Sequence, residues 1–288
     1  MRIIPTKKVL LPNNAINLYR GCTHGCIYCD SRSIVYGIGP FEDIGVKEDA
    51  MNKLRDELSR KKTKGMIYTG SMCDPYIPLE QELRLTQGML KAIYDFGFGV
   101  SILTKSDLAL RDIDLIDQIS KRNCAVVCYT LTTYDEELCN LLEPNVASTK
   151  RRLECLKEFA SRNITTGVWM GPILPFINDT EENIRSLVKA CSEAGVTFII
   201  QFGMGLTLRE GNREYFYEQL DRLFPKLKQV YQMKYGNRYE CMSPKSAYLT
   251  KIFVDECNKY GIKINTFDYE KHYKKQNIID QLRLFDES

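Results

Sequence analysis

The sequence predicts an α/β fold in which six βα units are arranged around a parallel sheet. Short runs of β-branched and apolar residues alternate with longer segments of helical periodicity, a pattern typical of repeated βα units. The strands are predicted at residues 15–19, 65–69, 99–103, 125–131, 165–170 and 197–202. The helices that follow them are predicted at residues 48–61, 80–96, 108–122, 149–162, 181–194 and 213–224. Residues 1–210 are predicted to form this domain, and residues 211–288, with a helix over 245–260, to form a C-terminal helical extension and tail.

The composition is typical of a globular protein of a reducing compartment. Hydrophobic residues make up 44% of the 288 positions, which is enough for a buried core. No apolar run approaches the roughly 20 residues that span a bilayer, and the first residues lack a secretory cleavage site. The eleven cysteines are an odd number, which favours free thiols or metal ligands over a disulfide framework. We therefore expect a cytoplasmic protein without membrane contact.

Net charge does not identify a partner. The chain carries 40 basic and 37 acidic side chains, so its formal net charge is only +3. A balance this small neither requires nor excludes a nucleic-acid partner.

Unusual sequences follow the predicted strands. They read GCTHGCIYCD, GSMCDPYIPLE, TKSD, TLTTYDEE, GPILPFIND and GMG. In parallel α/β folds the loops after the strands open onto one face, where reactive groups collect. We expect the functional site at this face.

Three cysteines lie within one short loop after the first predicted strand. Cys22, Cys26 and Cys29 are accompanied by glycines that permit a tight backbone. Three thiolates leave one iron of a 4Fe-4S cluster without a protein ligand, and that iron can chelate a methionine moiety. A structural zinc site is the alternative, with His24 as the fourth ligand. However, His24 sits between the cysteines, where tetrahedral ligation is awkward, and no second CxxC pair follows.

The segment NLYRGCTHGCIYCD resembles the signature loop of radical S-adenosylmethionine enzymes, in detail the branch similar to spore photoproduct lyase. The resemblance covers residues 17–201 and includes GSMCDPYIPLE, ILTKS, TLTTYDEELCNLLEP and GPILPFIND. It implies a partial (βα)6 TIM-like barrel, a 4Fe-4S cluster and S-adenosylmethionine as cofactors, and a reducing protein of the flavodoxin or ferredoxin type. The implied activity is cleavage of S-adenosylmethionine to a 5'-deoxyadenosyl radical that abstracts hydrogen from a substrate.

The resemblance also implies roles for individual residues. Tyr28 fills the aromatic position before the last cysteine, which in the superfamily lies near the adenine. Lys105 would contact the cofactor carboxylate, and Thr130 would assist with its hydroxyl. The alternatives are a surface lysine at a helix start and an ordinary strand threonine.

The loop after the second predicted strand holds further candidates. Gly70 and Ser71, helped by Asp74, would take the amino group of the cofactor, although this loop departs from the commoner Gly-Gly-Glu-Pro form. Asp74 also precedes a proline and so suits a simple turn. Cys73 is a candidate catalytic hydrogen-atom donor, because spore photoproduct lyase uses a cysteine in this loop. The alignment is offset by two residues, and a packing cysteine is the alternative.

The other cysteines are predicted to be core residues. Cys124 and Cys128 share one face of a strand with Val126, because side chains alternate between the two faces of a strand. We expect this face to fill the barrel interior.

The predicted substrate is nucleic acid, through repair of a DNA lesion or modification of DNA. The lyase-like resemblance and a basic aromatic stretch at residues 271–275 favour it. One alternative is radical modification or activation of a peptide or protein. Another is a non-catalytic metal-bearing module that binds nucleic acid.

The sequence near residue 285 suggests a partner. Gln281, Leu282, Leu284 and Phe285 resemble the short peptide with which bacterial replication and repair proteins bind the sliding clamp. The alternative is that these apolar side chains cover a barrel helix.

Overall fold

The computed structural model describes residues 1–265, and a seven-stranded sheet forms the centre of this part of the chain. The strands are β1 (Arg2–Ile4), β2 (Ala15–Ile16), β3 (Tyr19–Arg20), β4 (Gly45–Lys47), β5 (Met66–Thr69), β6 (Gly99–Thr104), β7 (Ala125–Leu131), β8 (Thr165–Met170), β9 (Phe198–Ile200), β10 (Gly205–Thr207), β11 (Glu240–Met242) and β12 (Lys263–Ile264). The α-helices are α1 (Ala50–Ser59), α2 (Glu80–Leu83), α3 (Leu85–Asp95), α4 (Ile113–Arg122), α5 (Glu136–Leu142), α6 (Thr149–Ser161), α7 (Glu181–Glu193), α8 (Asn212–Leu223), α9 (Leu227–Tyr235) and α10 (Ser246–Tyr260).

The main sheet has the strand order β12-β9-β8-β7-β6-β5-β2, and each neighbouring pair in it is parallel. Five of the six predicted strands and the first part of the remaining one, β2, lie in this sheet and follow one another in chain order. Helices connect successive strands, as parallel pairing requires. The sheet is not closed, because β2 and β12 are its edges. The predicted α/β fold and the partial TIM-like barrel are therefore confirmed.

Side chains of the strands alternate between two cores. Those facing outward, such as Ile67, Val100 and Val127, pack between the sheet and the helices. A smaller cluster on the inner face contains Val126 and Cys128. The predicted placement of this strand face in the barrel interior is thus confirmed, and burial raises the pKa of Cys128 to about 12.

Two predicted elements are interrupted. The first predicted strand is divided into β2 and β3, and β3 pairs with β4 in a separate three-stranded sheet. The predicted helix 80–96 breaks at Arg84, whose φ of 51° is left-handed. A buried carboxylate accounts for the break, because Glu80 accepts hydrogen bonds from the free amides of Thr86 and Gln87 at the start of α3.

The chain beyond residue 210 has two parts. Helices α8 and α9 pack with the antiparallel strand pair β10 and β11 around Phe216, Tyr231 and Cys241. Helix α10 returns to the barrel, where Glu256 pairs with Arg185 of α7 and β12 extends the main sheet beside β9. The domain boundary at residue 210 stays a prediction.

Several predicted features lie outside the described residues. They are the basic aromatic stretch 271–275 and the clamp-binding candidates Gln281, Leu282, Leu284 and Phe285. Within residues 1–265, no helix has the length and apolar character needed to cross a membrane.

Candidate functional site

One cavity of about 110 Å³ at the carboxyl ends of the barrel strands collects the predicted site residues. We call it the cofactor cavity. All of those residues except Tyr28 line it, namely Cys22, Cys26, Cys29, Gly70, Ser71, Cys73, Asp74, Lys105 and Thr130. They come from three strand ends and the cysteine loop (residues 21–30), so the expectation of a common face is met.

The cysteine loop depends on a glycine in the left-handed region. Gly21 has a φ of +91°, and a Cβ there would lie 2.3 Å from the carbonyl oxygen of Phe41. The same carbonyl accepts a hydrogen bond from the amide of Cys22 at 3.0 Å. A larger residue at position 21 would therefore displace the first cysteine.

The donor set of the cofactor cavity suits a cluster better than a single ion. In residues 1–265, no group of three His, Cys, Asp or Glu side chains is arranged to hold one metal ion. A 4Fe-4S cluster takes each thiolate on a different iron, so its three cysteines need not surround one point. Burial raises the pKa of Cys26 and Cys29, and nearby Lys105 opposes this shift. Metal binding would release these thiol protons.

His24 is buried between two other groups of the site. Its Nδ1 lies 3.5 Å from Oδ2 of Asp74, and it also contacts Cys22. Burial opposes a charge on His24, but Asp74 and Cys22 outweigh burial and raise its pKa. These contacts give no support to a zinc site that uses His24 as a fourth ligand.

Lys105 brings a cation into the cofactor cavity. Burial lowers its pKa, but the acidic groups of Cys26, Glu143 and Asp74 outweigh burial and raise it overall. Among the described residues, no carboxylate lies within ion-pair distance of the Lys105 ammonium. A partly buried cation without a direct partner favours binding of an anion.

The loop after β5 is fastened to the end of β6. Asp74 accepts hydrogen bonds from the Thr104 hydroxyl at 2.7 Å, from the Lys105 amide at 2.7 Å and from the Tyr76 amide at 2.8 Å. The hydrogen bond from the Tyr76 amide closes the turn that the sequence suggested as the alternative role of Asp74. At Gly70 a Cβ would lie 2.1 Å from the Leu103 carbonyl oxygen, so glycine is required for this close approach.

Cys73 lies at the edge of the cofactor cavity, against the cysteine loop. Its Sγ donates a hydrogen bond to the carbonyl of Gly21 at 2.8 Å. A hydrogen bond between Cys73 and Cys22 lowers the pKa of Cys22 well below its usual range and raises that of Cys73. Within this pair, Cys22 is therefore the readier thiolate.

Tyr28 belongs to the cysteine loop but does not line the cofactor cavity. Its hydroxyl hydrogen-bonds the buried carboxylate of Glu143, and its ring centroid is 6.0 Å from Nζ of Lys105. Glu143 in turn pairs with Arg152, and sequence reasoning missed both charges. A signal existed for Arg152, because it lies on the helix face that also carries Cys155 and Phe159. A charged residue on an apolar helix face indicates a buried polar contact.

A second cavity of about 390 Å³ occupies the barrel interior, and we call it the barrel cavity. It shares Ser71 and Leu103 with the cofactor cavity. The full lining is Asn13, Ala15, Tyr68, Thr69, Ser71, Ser101, Leu103, Cys128, Trp169, Phe198 and Ile200. The Trp169 ring lies 5.1 Å from that of Phe202, which is 74% exposed. The described lining carries aromatic rings and small polar groups but no formally charged side chain.

The family model of the radical SAM superfamily matches residues 16–191 of the chain. The match covers more than half of the chain and includes the cysteine loop and the strands β5 to β8. The protein therefore belongs to the radical SAM superfamily. It is an enzyme of radical chemistry that uses a 4Fe-4S cluster and S-adenosylmethionine, and such enzymes need a reductant.

Relatives and solved structures agree with this assignment. An uncharacterized protein of Methanocaldococcus jannaschii is 31% identical over 84% of this chain and 83% of its own length. A radical SAM Nα-GlyT isomerase of Pseudomonas phage M6 is 26% identical, over 62% of this chain and only 36% of its own length. A spore photoproduct lyase variant has a similar fold, with a TM-score of 0.67, 15% identity and coverage of 92% of this chain and 82% of that chain.

Replacement of Cys26 by alanine should abolish the iron-sulfur cluster, because only two of three thiolates would remain. Cys128→Ala is the matched control, since it removes a buried thiol of the barrel interior. Iron and sulfide content and visible absorption after anaerobic reconstitution measure the effect. An unchanged chromophore in Cys26→Ala would show that Cys26 is not a ligand.

Proposed function

We propose that this protein is a radical SAM enzyme that acts on a nucleobase of a nucleic acid. The observation that carries the proposal is the uncharged, aromatic barrel cavity directly beside the cofactor cavity. The proposal has two parts, the binding of the cofactors and the nature of the substrate.

Cys22, Cys26 and Cys29 are the proposed cluster ligands. When bound and reduced, the cluster supplies the electron that cleaves S-adenosylmethionine to methionine and a 5'-deoxyadenosyl radical. Lys105 would hold the cofactor carboxylate, because its ammonium faces the cavity without a direct carboxylate partner.

The other polar groups of the cofactor cavity complete this proposal. Thr130 would contribute a hydroxyl, and the exposed backbone at Gly70 and Ser71 would receive the cofactor amino group. For Asp74 we propose a positioning role, because its carboxylate is already occupied by three donors of its own chain.

The barrel cavity favours a neutral planar substrate group. Its volume of about 390 Å³ lies within the usual range of about 300–1,000 Å³ for small-molecule pockets. Trp169, with Phe202 against it at the open side, offers a ring on which a base can stack. Burial of a charged group there would be costly, because the described lining has no opposite charge.

Two named relatives support a nucleobase substrate. The phage relative is an isomerase whose name gives Nα-GlyT as the group it acts on. One structure of similar fold, with a TM-score of 0.63 and 13% identity, is a spore photoproduct lyase variant with bound AdoMet and dinucleoside spore photoproduct. Together with the aromatic cavity, these names favour nucleic acid over a peptide or protein substrate.

Three finer proposals accompany this function. The electron donor would be of the flavodoxin or ferredoxin type. DNA is the proposed nucleic acid, and the clamp-like residues near position 285 would bring the enzyme to it. Cys73 as a hydrogen-atom donor stays a prediction, and its hydrogen bonds to Gly21 and Cys22 favour a role beside the cysteine loop.

Deuterium transfer tests the substrate class directly. The reduced, reconstituted protein should move deuterium from oligonucleotides labelled in their bases into 5'-deoxyadenosine or into recovered S-adenosylmethionine.

Trp169→Ala should weaken oligonucleotide binding by about 1–3 kcal/mol, the range for loss of one stacking ring. The exposed Tyr134, outside the barrel cavity, provides the control variant Tyr134→Ala.

The contrary results for this test are also specific. Deuterium transfer from labelled peptides but not from oligonucleotides would show that the enzyme modifies peptides and would contradict the proposal. Equal binding by Trp169→Ala and the parent would remove Trp169 from substrate recognition.

Lys105→Met should weaken S-adenosylmethionine binding by about 1.5–3 kcal/mol, the range for a hydrogen bond to a charged group. Iron content should stay at the parental level. Lys91→Met, which removes an exposed lysine of α3, is the control. Calorimetric titration of the reconstituted proteins gives the affinities, and a parental affinity in Lys105→Met would place the carboxylate site elsewhere.

A further inference from the structure

A buried ion pair lies directly behind the cysteine loop. Nη2 of Arg152 is 2.6 Å from Oε2 of Glu143, and both side chains are fully buried. An ion pair of this kind gives little net stability, because desolvation of the two charges offsets their attraction. Its position relative to the site is therefore of more interest than its contribution to folding.

Arg152 donates hydrogen bonds to the backbone on one side of the site. Its Nη1 donates to the carbonyl of Thr130 at 2.8 Å, and its Nε donates to that of Ala147 at 2.6 Å. Thr130 lines the cofactor cavity, and the amide of Ala147 bonds the carbonyl of Lys105 at 3.2 Å. The guanidinium thus connects α6 to the backbone of two residues of the site.

Glu143 faces the cysteine loop. Its second oxygen accepts the hydrogen bond of Tyr28, which lies between the second and third cysteines. The backbone around Glu143 is tied to the same loop, because the carbonyl of Leu142 accepts from Ile27 at 3.0 Å and the amide of Asn145 donates to His24 at 3.1 Å. The side chain of Tyr28 and these two backbone hydrogen bonds therefore connect Glu143 to the cysteine loop.

We propose that Glu143 and Arg152 are positioning residues that fix the cysteine loop and set the electric field at the cluster, with Glu143 as the negative charge and Arg152 as its compensation. The proposal rests on the assignment of the three cysteines as cluster ligands. Charges in a buried site act strongly on their neighbours, because little water screens them. Glu143 is fully buried, and its hydrogen bond with Tyr28 ends on the residue next to Cys29.

The reduction potential of the bound cluster distinguishes an effect of the charges of Glu143 and Arg152 from an effect of their packing. Glu143→Gln keeps the hydrogen bond to Tyr28 but removes a negative charge, so it should shift the midpoint potential to a more positive value. Arg152→Met leaves Glu143 uncompensated and should shift the potential in the opposite direction. The double variant Glu143→Gln/Arg152→Met should return close to the parental potential, because the pair is neutral as a whole.

Two further variants act as controls. Arg152→Lys keeps the charge but loses the hydrogen bonds of the guanidinium to two backbone carbonyls. It should therefore lower the melting temperature with little change in reduction potential. Cys139→Ala removes a neutral thiol that accepts from Nη2 of Arg152 at 3.5 Å and donates to Oε2 of Glu143 at 3.7 Å. It changes no charge, so its effect on the potential should be small compared with that of Glu143→Gln.

Redox titration monitored by electron paramagnetic resonance measures these potentials. A parental potential in cluster-loaded Glu143→Gln, or shifts of the same sign in Glu143→Gln and Arg152→Met, would overturn the proposal. If Arg152→Met does not fold, Glu143→Gln and Arg152→Lys still decide. A wrong ligand assignment would show itself separately, as a cluster that survives Cys26→Ala.

Discussion

Parallel pairing of β5, β6 and β7 is the constraint on which the candidate site depends. The register sets Thr69 opposite Ile102 and Thr104 opposite Tyr129, so each strand extends two residues beyond the end of the one before it, which is the stagger of a barrel sheet. Gly70, Lys105 and Thr130, at or just beyond these staggered ends, line the same cavity. The cysteine loop is brought to this edge by β2, which pairs beside β5.

The charges of the site are divided between its two sides. Lys105 faces the cavity without a direct carboxylate partner among the described residues, so the open side suits an anionic group. On the buried side, Glu143 is balanced by Arg152 and hydrogen-bonded to Tyr28. The barrel cavity beyond Leu103 is uncharged in its described lining. Under the proposed function, this separation would let one small region accept a charged cofactor and a neutral ring side by side.

The parts of the fold that follow from local patterns could be predicted from the sequence. The strands 125–131 and 165–170 have the predicted bounds, because their β-branched, aromatic and apolar residues favour strands. The cysteine spacing likewise indicated a cluster-type site. The break at Arg84 could not be predicted, because it depends on Glu80, whose carboxylate also pairs with the distant Arg111.

Long-range contacts account for the other omissions. Glu143 and Tyr28 are 115 residues apart, so no local pattern links them. The return of α10 and β12 to the barrel depends on packing against α7 and pairing with β9, which local periodicity does not encode. Tertiary contacts of this kind decide where a helix docks, whereas propensity and periodicity decide only that it forms.

The central claim is that the cofactor cavity holds a 4Fe-4S cluster with one iron open to S-adenosylmethionine. Electron paramagnetic resonance of the anaerobically reduced protein, recorded with and without S-adenosylmethionine, tests it most directly. We expect a 4Fe-4S signal whose g-values change when S-adenosylmethionine is added, because the cofactor would bind the open iron. A reduced cluster whose spectrum is the same with and without saturating S-adenosylmethionine would contradict it.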